Sequence, residues 1–141
     1  VSAMKFVGFK IGTEVGTPKA WEEHTTNQIG RMRARFYELS RNGLDWTGKA
    51  ISAGLTLKDE VLLKVLYFGA ELWEPGPSQY KQIDRAVAGT MKSLLGLPGT
   101  TPTAWVQWET GTRPAGIEMD IIKLKAWRTW RKKCMRGEGP G

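Results

Sequence analysis

One cysteine and one histidine are all that this chain offers to soft metal ions or to thiol chemistry. Cys134 has no partner for an internal disulfide, and with His24 far away in sequence it makes thin material for a zinc site or a Cys/His nucleophile. No cofactor or metal is expected. No secretory signal pattern, internal repeat or low-complexity tract is visible. The longest apolar stretch, Leu57 to Trp73, is interrupted by Lys58, Asp59, Glu60, Lys64 and Glu71, so it does not read as a membrane span. Gly96 to Thr101 and Gly111-Thr112 contain glycine but not the G-x-x-x-x-G-K-S/T pattern that cradles phosphates, which leaves nucleotide hydrolysis without support. Acidic residues are absent between Ile121 and Arg136, a stretch with seven basic ones. The chain opens at Val1 rather than at Met, which reads as a processed protein or a piece of a longer one.

What is present is positive charge and tryptophan. The 141 residues carry 21 Lys and Arg against 14 Asp and Glu, a net charge of +7. A surplus of this size favours polyanionic partners, nucleic acid first and an anionic membrane surface second. Nucleic acid, RNA or DNA, is therefore the partner expected, and no membrane. Seven Trp supply much of the burial that a one-domain core needs.

Hydrophobic periodicity predicts a mainly α protein, a bundle of about four to five helices with a small β-strand or hairpin in front. Three units are expected: 1–16 as the β piece, 17–136 as the helical domain and 137–141 as a flexible tail. Met4 to Val15 alternates apolar and polar residues with a break at Gly8, and returns as a hairpin through Gly12 to Gly16. Thr17-Pro18 caps a first helix with an apolar stripe of Ile29, Met32, Phe36 and Leu39, ending at Asn42-Gly43. Leu44 to Gly54 reads as a short helix or an irregular connection under Trp46 and Ile51.

Leu57 to Trp73 is apolar nearly all round and therefore reads as the buried central helix, stopped by Glu74-Pro75-Gly76-Pro77. Ser78 caps the next helix, whose stripe is Tyr80, Ile83, Val87, Met91 and Leu94. Thr101-Pro102 opens a short helix with Trp105 and Trp108. The last helix runs from near Pro114 to Met135, with Met119, Ile122, Ala126, Trp130 and Cys134 facing inward. Lys125, Arg128, Lys132 and Arg136 follow a second stripe at the same period.

The order of these features resembles one family. Lys5-Phe6-Val7-Gly8, then Trp21-Glu22-Glu23-His24, then Leu66-Tyr67-Phe68-Gly69-Ala70-Glu71-Leu72-Trp73, then Leu95-Gly96-Leu97-Pro98 with Thr101, Pro102, Glu109, Gly111 and Pro114 follow one another. This series is similar to the end of the palm, the helical thumb and the start of the linker of non-LTR (LINE-like) retrotransposon reverse transcriptases. There the corresponding motifs are K-Y-L-G, W-x-x-H, L-L-Y-G-A-E-x-W and L-G-L-P … T-P … E-x-G-x-x-P. The resemblance implies a thumb that lies along a nucleic-acid duplex and tracks its backbone. That family's catalytic pair of aspartates is missing, because no Asp-Asp occurs in this chain and none of Asp45, Asp59, Glu60, Asp84, Glu109, Glu118 or Asp120 belongs to a two-metal motif. The chain is therefore read as non-enzymatic.

The candidate nucleic-acid-binding residues are Arg31, Arg33 and Arg35 on the first helix, with Lys125, Arg128, Arg131, Lys132, Lys133 and Arg136 on the last. Cations on helix faces neutralise phosphates without reading sequence. The bland alternative is a solvated face, helped by cations near the negative end of the helix. Trp105, Trp108, Trp127 and Trp130 are read as core rather than base-stacking residues, and Trp21 and Trp46 as packing. His24 reads as a helix-surface or capping residue and Cys134 as a small buried apolar one. The functional expectation is a protein that binds structured RNA as a subunit of a ribonucleoprotein such as a ribosome, beside its other proteins. Two rivals stand: a fragment of an active reverse transcriptase gripping template–primer duplex, and a protein-interaction scaffold using the Trp-rich surface.

Overall fold

Small side chains decide which helix the others can crowd around. The computed structural model of the chain describes residues 4–6, 9–11, 18–41 and 51–137. It is mainly helical. After two short strands, β1 (Met4–Phe6) and β2 (Phe9–Ile11), a 3-10 turn (Pro18–Trp21) leads into α1 (Glu22–Arg41). Helix α2 covers 51–66 in three pieces: α-helical Ile51–Leu57, a π turn at Lys58–Leu62 and α-helical Leu63–Leu66. Then come α3 (Pro77–Leu95), α4 (Thr103–Thr110) and α5 (Ala115–Met135).

Helix α3 touches α1, α2, α4 and α5. It buries Ile83, Val87, Met91 and Leu94, the stripe expected from periodicity, but also Gln79, Ala86, Ala88 and Thr90. Alanine and threonine let neighbouring backbones approach from several sides, so a helix of modest hydrophobicity becomes the hub. Its N-cap is Gly76 with Pro77 first in the helix, two residues before the Ser78 cap expected from the sequence. At the other end Gly96 takes the left-handed conformation (φ 67°) that closes a helix at low steric cost.

The segment 57–73 runs through the core as expected, but not as one helix. From just upstream of it, Gly54, Lys58, Leu62, Leu66 and Ala70 form a buried row at a spacing of four, with Tyr67 and Trp73 buried beside it. An α-helix turns past a full revolution every four residues, and the wider π turn at 58–62 brings these positions back into line. The helix then stops at Tyr67, and successive turns carry the chain through Gly69 (φ 74°) to the fully buried Trp73. Phe68 and Leu72 are more than 60% exposed, so an uninterrupted apolar stretch does not make a helix buried on every side. The sequence does contain the stop: Gly69 is free to adopt the positive φ that a side chain resists. The carbonyls left over at the end of α2 are received by α1, where the buried Gln28 amide donates to Val65 O and Leu66 O, both at 3.2 Å.

Lys58, an apparent interruption of the apolar run, is 1% exposed. Its ammonium donates to Thr110 O at 2.8 Å and Thr112 Oγ1 at 3.2 Å, and stands 3.1 Å from the Asp59 carboxylate. A cation thus sits at the negative end of α4, on one of the carbonyls that a helix end leaves without an intrahelical partner. Lys58→Met keeps the stem and leaves Thr110 O without this donor. It is expected to lower the unfolding free energy by about 2 kcal/mol, read from urea denaturation. An unchanged midpoint would mean that the ammonium contributes nothing net.

His24 is buried rather than on the helix surface. It lies between Trp21 and Trp73 in two edge-on contacts, with ring centroids at 5.6 and 5.0 Å. Burial first, and the positive charge of Arg31 second, push its pKa down to about 4.

The strands pair antiparallel with Met4 opposite Ile11 and Phe6 opposite Phe9. The Thr17 cap, Asn42-Gly43, Trp46, Gly12 to Gly16 and the 138–141 tail lie outside the described residues. Helix α4 is capped by Pro102 rather than Thr101 and closed by Gly111 (φ 64°). Its Val106 and Thr110 are buried, whereas Trp105 and Trp108 face solvent, against the expectation that they are core.

Candidate nucleic-acid interface

The N-terminal end of α5 is held by another helix. Pro114 occupies the N-cap and has no side chain to accept a hydrogen bond, so Asp84 of α3 supplies one: its Oδ1 accepts from Ala115 N at 2.8 Å and from the Gln107 amide at 3.2 Å. Partial burial pushes the Asp84 carboxyl above its usual range, and the Ala115 amide works against that shift. Ala115 and Met119 are buried, Ile122 packs partly against the core, and Lys123 meets Glu74 at 2.9 Å.

Beyond that point the helix leaves the body. Every residue from Trp127 to Gly137 is exposed. At a rise of 1.5 Å per residue, the stretch from 127 to 135 reaches about 13 Å past its last support. The inward stripe expected from the sequence is therefore right for Met119 and Ile122 and wrong further on. Trp130 is 53% exposed and Cys134 is exposed as well. Periodicity locates a face, but a face is buried only while another element lies against it.

Lys125, Arg128, Lys132, Lys133 and Arg136 are exposed on this helix and have no acidic partner among the described residues. Arg131 places its guanidinium 5.4 Å from the Trp127 ring centre. Leu124 and Met135 are exposed beside them. A free-standing helix that carries mostly cations and exposed apolar side chains is badly matched to water on its apolar part. It is well matched to a partner that offers both negative charge and flat apolar faces.

The three arginines of α1 form a different arrangement. All are exposed, but Arg35 is in an ion pair with Glu38 at 2.8 Å, and Arg31 donates to Gln28 Oε1 at 3.4 Å. Positions 31 and 35 share one side of the helix while 33 points elsewhere. Arg33 borders a shallow groove of about 250 Å³ with Tyr37 and with Gly89 and Ser93 of α3. Helix α1 packs on α2 and α3 and α5 packs on α3, so the two cationic sets stand on separate helices.

A larger cleft of about 490 Å³ opens between α2, the α4–α5 connection and α5. It is lined by Asp59, Lys64, Arg113 and Glu118, with Arg113 paired to Glu118 at 3.2 Å. Mixed charge of this kind gives no preference for an anion. Tyr67 also borders it, and burial together with the nearby Asp84 and Glu118 carboxylates pushes its hydroxyl far above the usual range, so it keeps its proton. Among the described residues no three His, Cys, Asp or Glu side chains converge in a way that could hold a metal ion. No helix there is long and apolar enough to cross a membrane.

The exposed tryptophans are what sequence reasoning missed. One signal was available: Trp127 and Trp130 stand inside the same stretch, Ile121 to Arg136, that holds seven basic residues and no acidic one. A core-facing helix needs some relief from self-repulsion on its outer face, and this stretch contains no acidic residue of its own. Comparison with family models, with curated proteins and with solved structures returned no match.

Proposed function

We propose that this chain is a non-catalytic nucleic-acid-binding protein, related to the reverse-transcriptase thumb, that lays its last helix against structured RNA as a subunit of a ribonucleoprotein such as a ribosome. One observation carries the proposal: the outer half of α5 stands clear of the core with cations that no acidic side chain neutralises among the described residues. Such charges are not used in packing, and their mutual repulsion works against the fold. Phosphates would relieve that repulsion and release their counterions on contact. RNA is favoured over DNA because a helix with cations and no base-reading array suits recognition by shape and phosphates. The same surface serves the retroelement alternative, in which a thumb grips template–primer duplex.

A scaffold reading has its own support in the exposure of Trp105, Trp108, Ile117 and Leu124. Salt separates the two. If six cations of α5 meet phosphates, the logarithm of RNA affinity falls against the logarithm of salt with a slope near −5, at about −0.9 for each contact. A titration of an RNA hairpin from low to physiological salt measures this. A flat response would favour the scaffold, because an apolar contact holds as salt rises.

A further inference from the structure

We infer that α5 also stacks unpaired bases on Trp127 and Trp130, so that the RNA it takes carries a single-stranded segment beside its helix. This rests on the nucleic-acid reading above and narrows it to a class of substrate.

Trp127 and Trp130 are three residues apart and therefore lie on neighbouring positions of one side of the helix. Each is 53% exposed, in the stretch that no other described element covers. Their separation along the axis, about 4.5 Å, is close to the roughly 3.4 Å between consecutive bases of a strand. Arg131, whose guanidinium lies over the Trp127 ring at 5.4 Å from its centre, puts a cation on the same platform. Lys125, Arg128, Lys132 and Lys133 flank it without acidic partners among the described residues.

Charge decides between occupants. A second copy of the chain would bring the same cations against these. A protein partner would leave Lys125, Arg128, Arg131, Lys132, Lys133 and Arg136 to be matched one by one, since among the described residues only Lys123 of this stretch is paired, with Glu74. A single strand supplies phosphates and π-faces together, and aromatic rings with flanking cations are what sequence-independent strand binding uses. A blunt duplex cannot use the platform, because its base faces are already stacked on one another.

The test compares the intact protein on one RNA hairpin bearing either an unpaired uridine tail or a tail of equal length made of abasic residues. The two tails carry the same phosphates, so only stacking distinguishes them. The wild type is expected to bind the uridine tail about tenfold or more tightly, at the stacking contribution typical of one exposed aromatic ring. W127A/W130A should bind both tails alike, with unchanged affinity for the untailed hairpin and unchanged helicity by circular dichroism. Equal binding of the two tails by the wild type would overturn the inference and leave the phosphate reading standing. So would a uridine preference that survives in W127A/W130A. Failure to bind any of the RNAs would overturn both.

Discussion

Replacing Lys125, Arg128, Lys132 and Arg136 together by glutamine is expected to weaken RNA binding by about a hundredfold or more near physiological salt. The reasoning is electrostatic. Each contacted phosphate contributes about 0.9 to the salt slope, so four lost contacts should flatten it by about 3 to 4. The four side chains are exposed and take part in no ion pair among the described residues, so the variant should unfold at the same or slightly higher denaturant. That combination, lost affinity with an intact fold, separates an interface from a packing effect. The same treatment of Arg31, Arg33 and Arg35 should cost much less. Glu38 already holds Arg35, and Arg33 points to a different side of α1 from Arg31 and Arg35. Unchanged RNA affinity in the α5 variant would remove this helix from the interface, and an equal loss from the α1 variant would move the centre of binding toward that helix.

Acid is expected to destabilise the fold through His24. Its pKa, about 4 in the folded protein, lies below the 6.5 of an unfolded chain. Between those values the unfolded state binds the proton and the folded state does not. Stability is therefore full above pH 6.5 and falls as pH drops through the window toward 4. The slope approaches 1.4 kcal/mol per pH unit, and the loss amounts to about 2 kcal/mol by pH 5 and about 3 by pH 4. The upper part of the window is the cleaner measurement, because most carboxylates are still ionised there. Burial between Trp21 and Trp73 is the main cause, and the nearby Arg31 guanidinium adds to it. As this is the only histidine, its ring proton resonances report the titration directly by NMR. A midpoint near 6.5 would show the ring to be hydrated. Denaturant midpoints that do not move between pH 7 and 5 would show that its ionisation is not linked to folding.

Much of the helical plan follows from local chemistry. Prolines at helix starts and glycines just beyond helix ends bracket α3, α4 and α5 within one or two residues of where the structure has them. The stripes Ile29, Met32, Phe36 and Ile83, Val87, Met91, Leu94 are buried as their spacing requires. The cationic run of the last helix was also legible, since an imbalance of charge is a property of composition.

What depended on the tertiary structure was which faces are covered. Hydrophobicity marked 57–73 as central, yet the hub is α3, because Ala86, Ala88 and Thr90 permit close approach on sides that larger residues would block. Three polar side chains, Lys58, Gln28 and Asp84, are placed by carbonyls and amides more than 30 residues away in sequence, which no local pattern contains. Trp127, Trp130 and Cys134 have the spacing of a core stripe and are exposed, because α5 outruns the helices it rests on. The sequence by itself determined where helices begin and end, and what charge they carry. Only the packing of one helix past the end of another decided that the outer half of α5 is surface, because burial is a relation between elements and not a property of a residue.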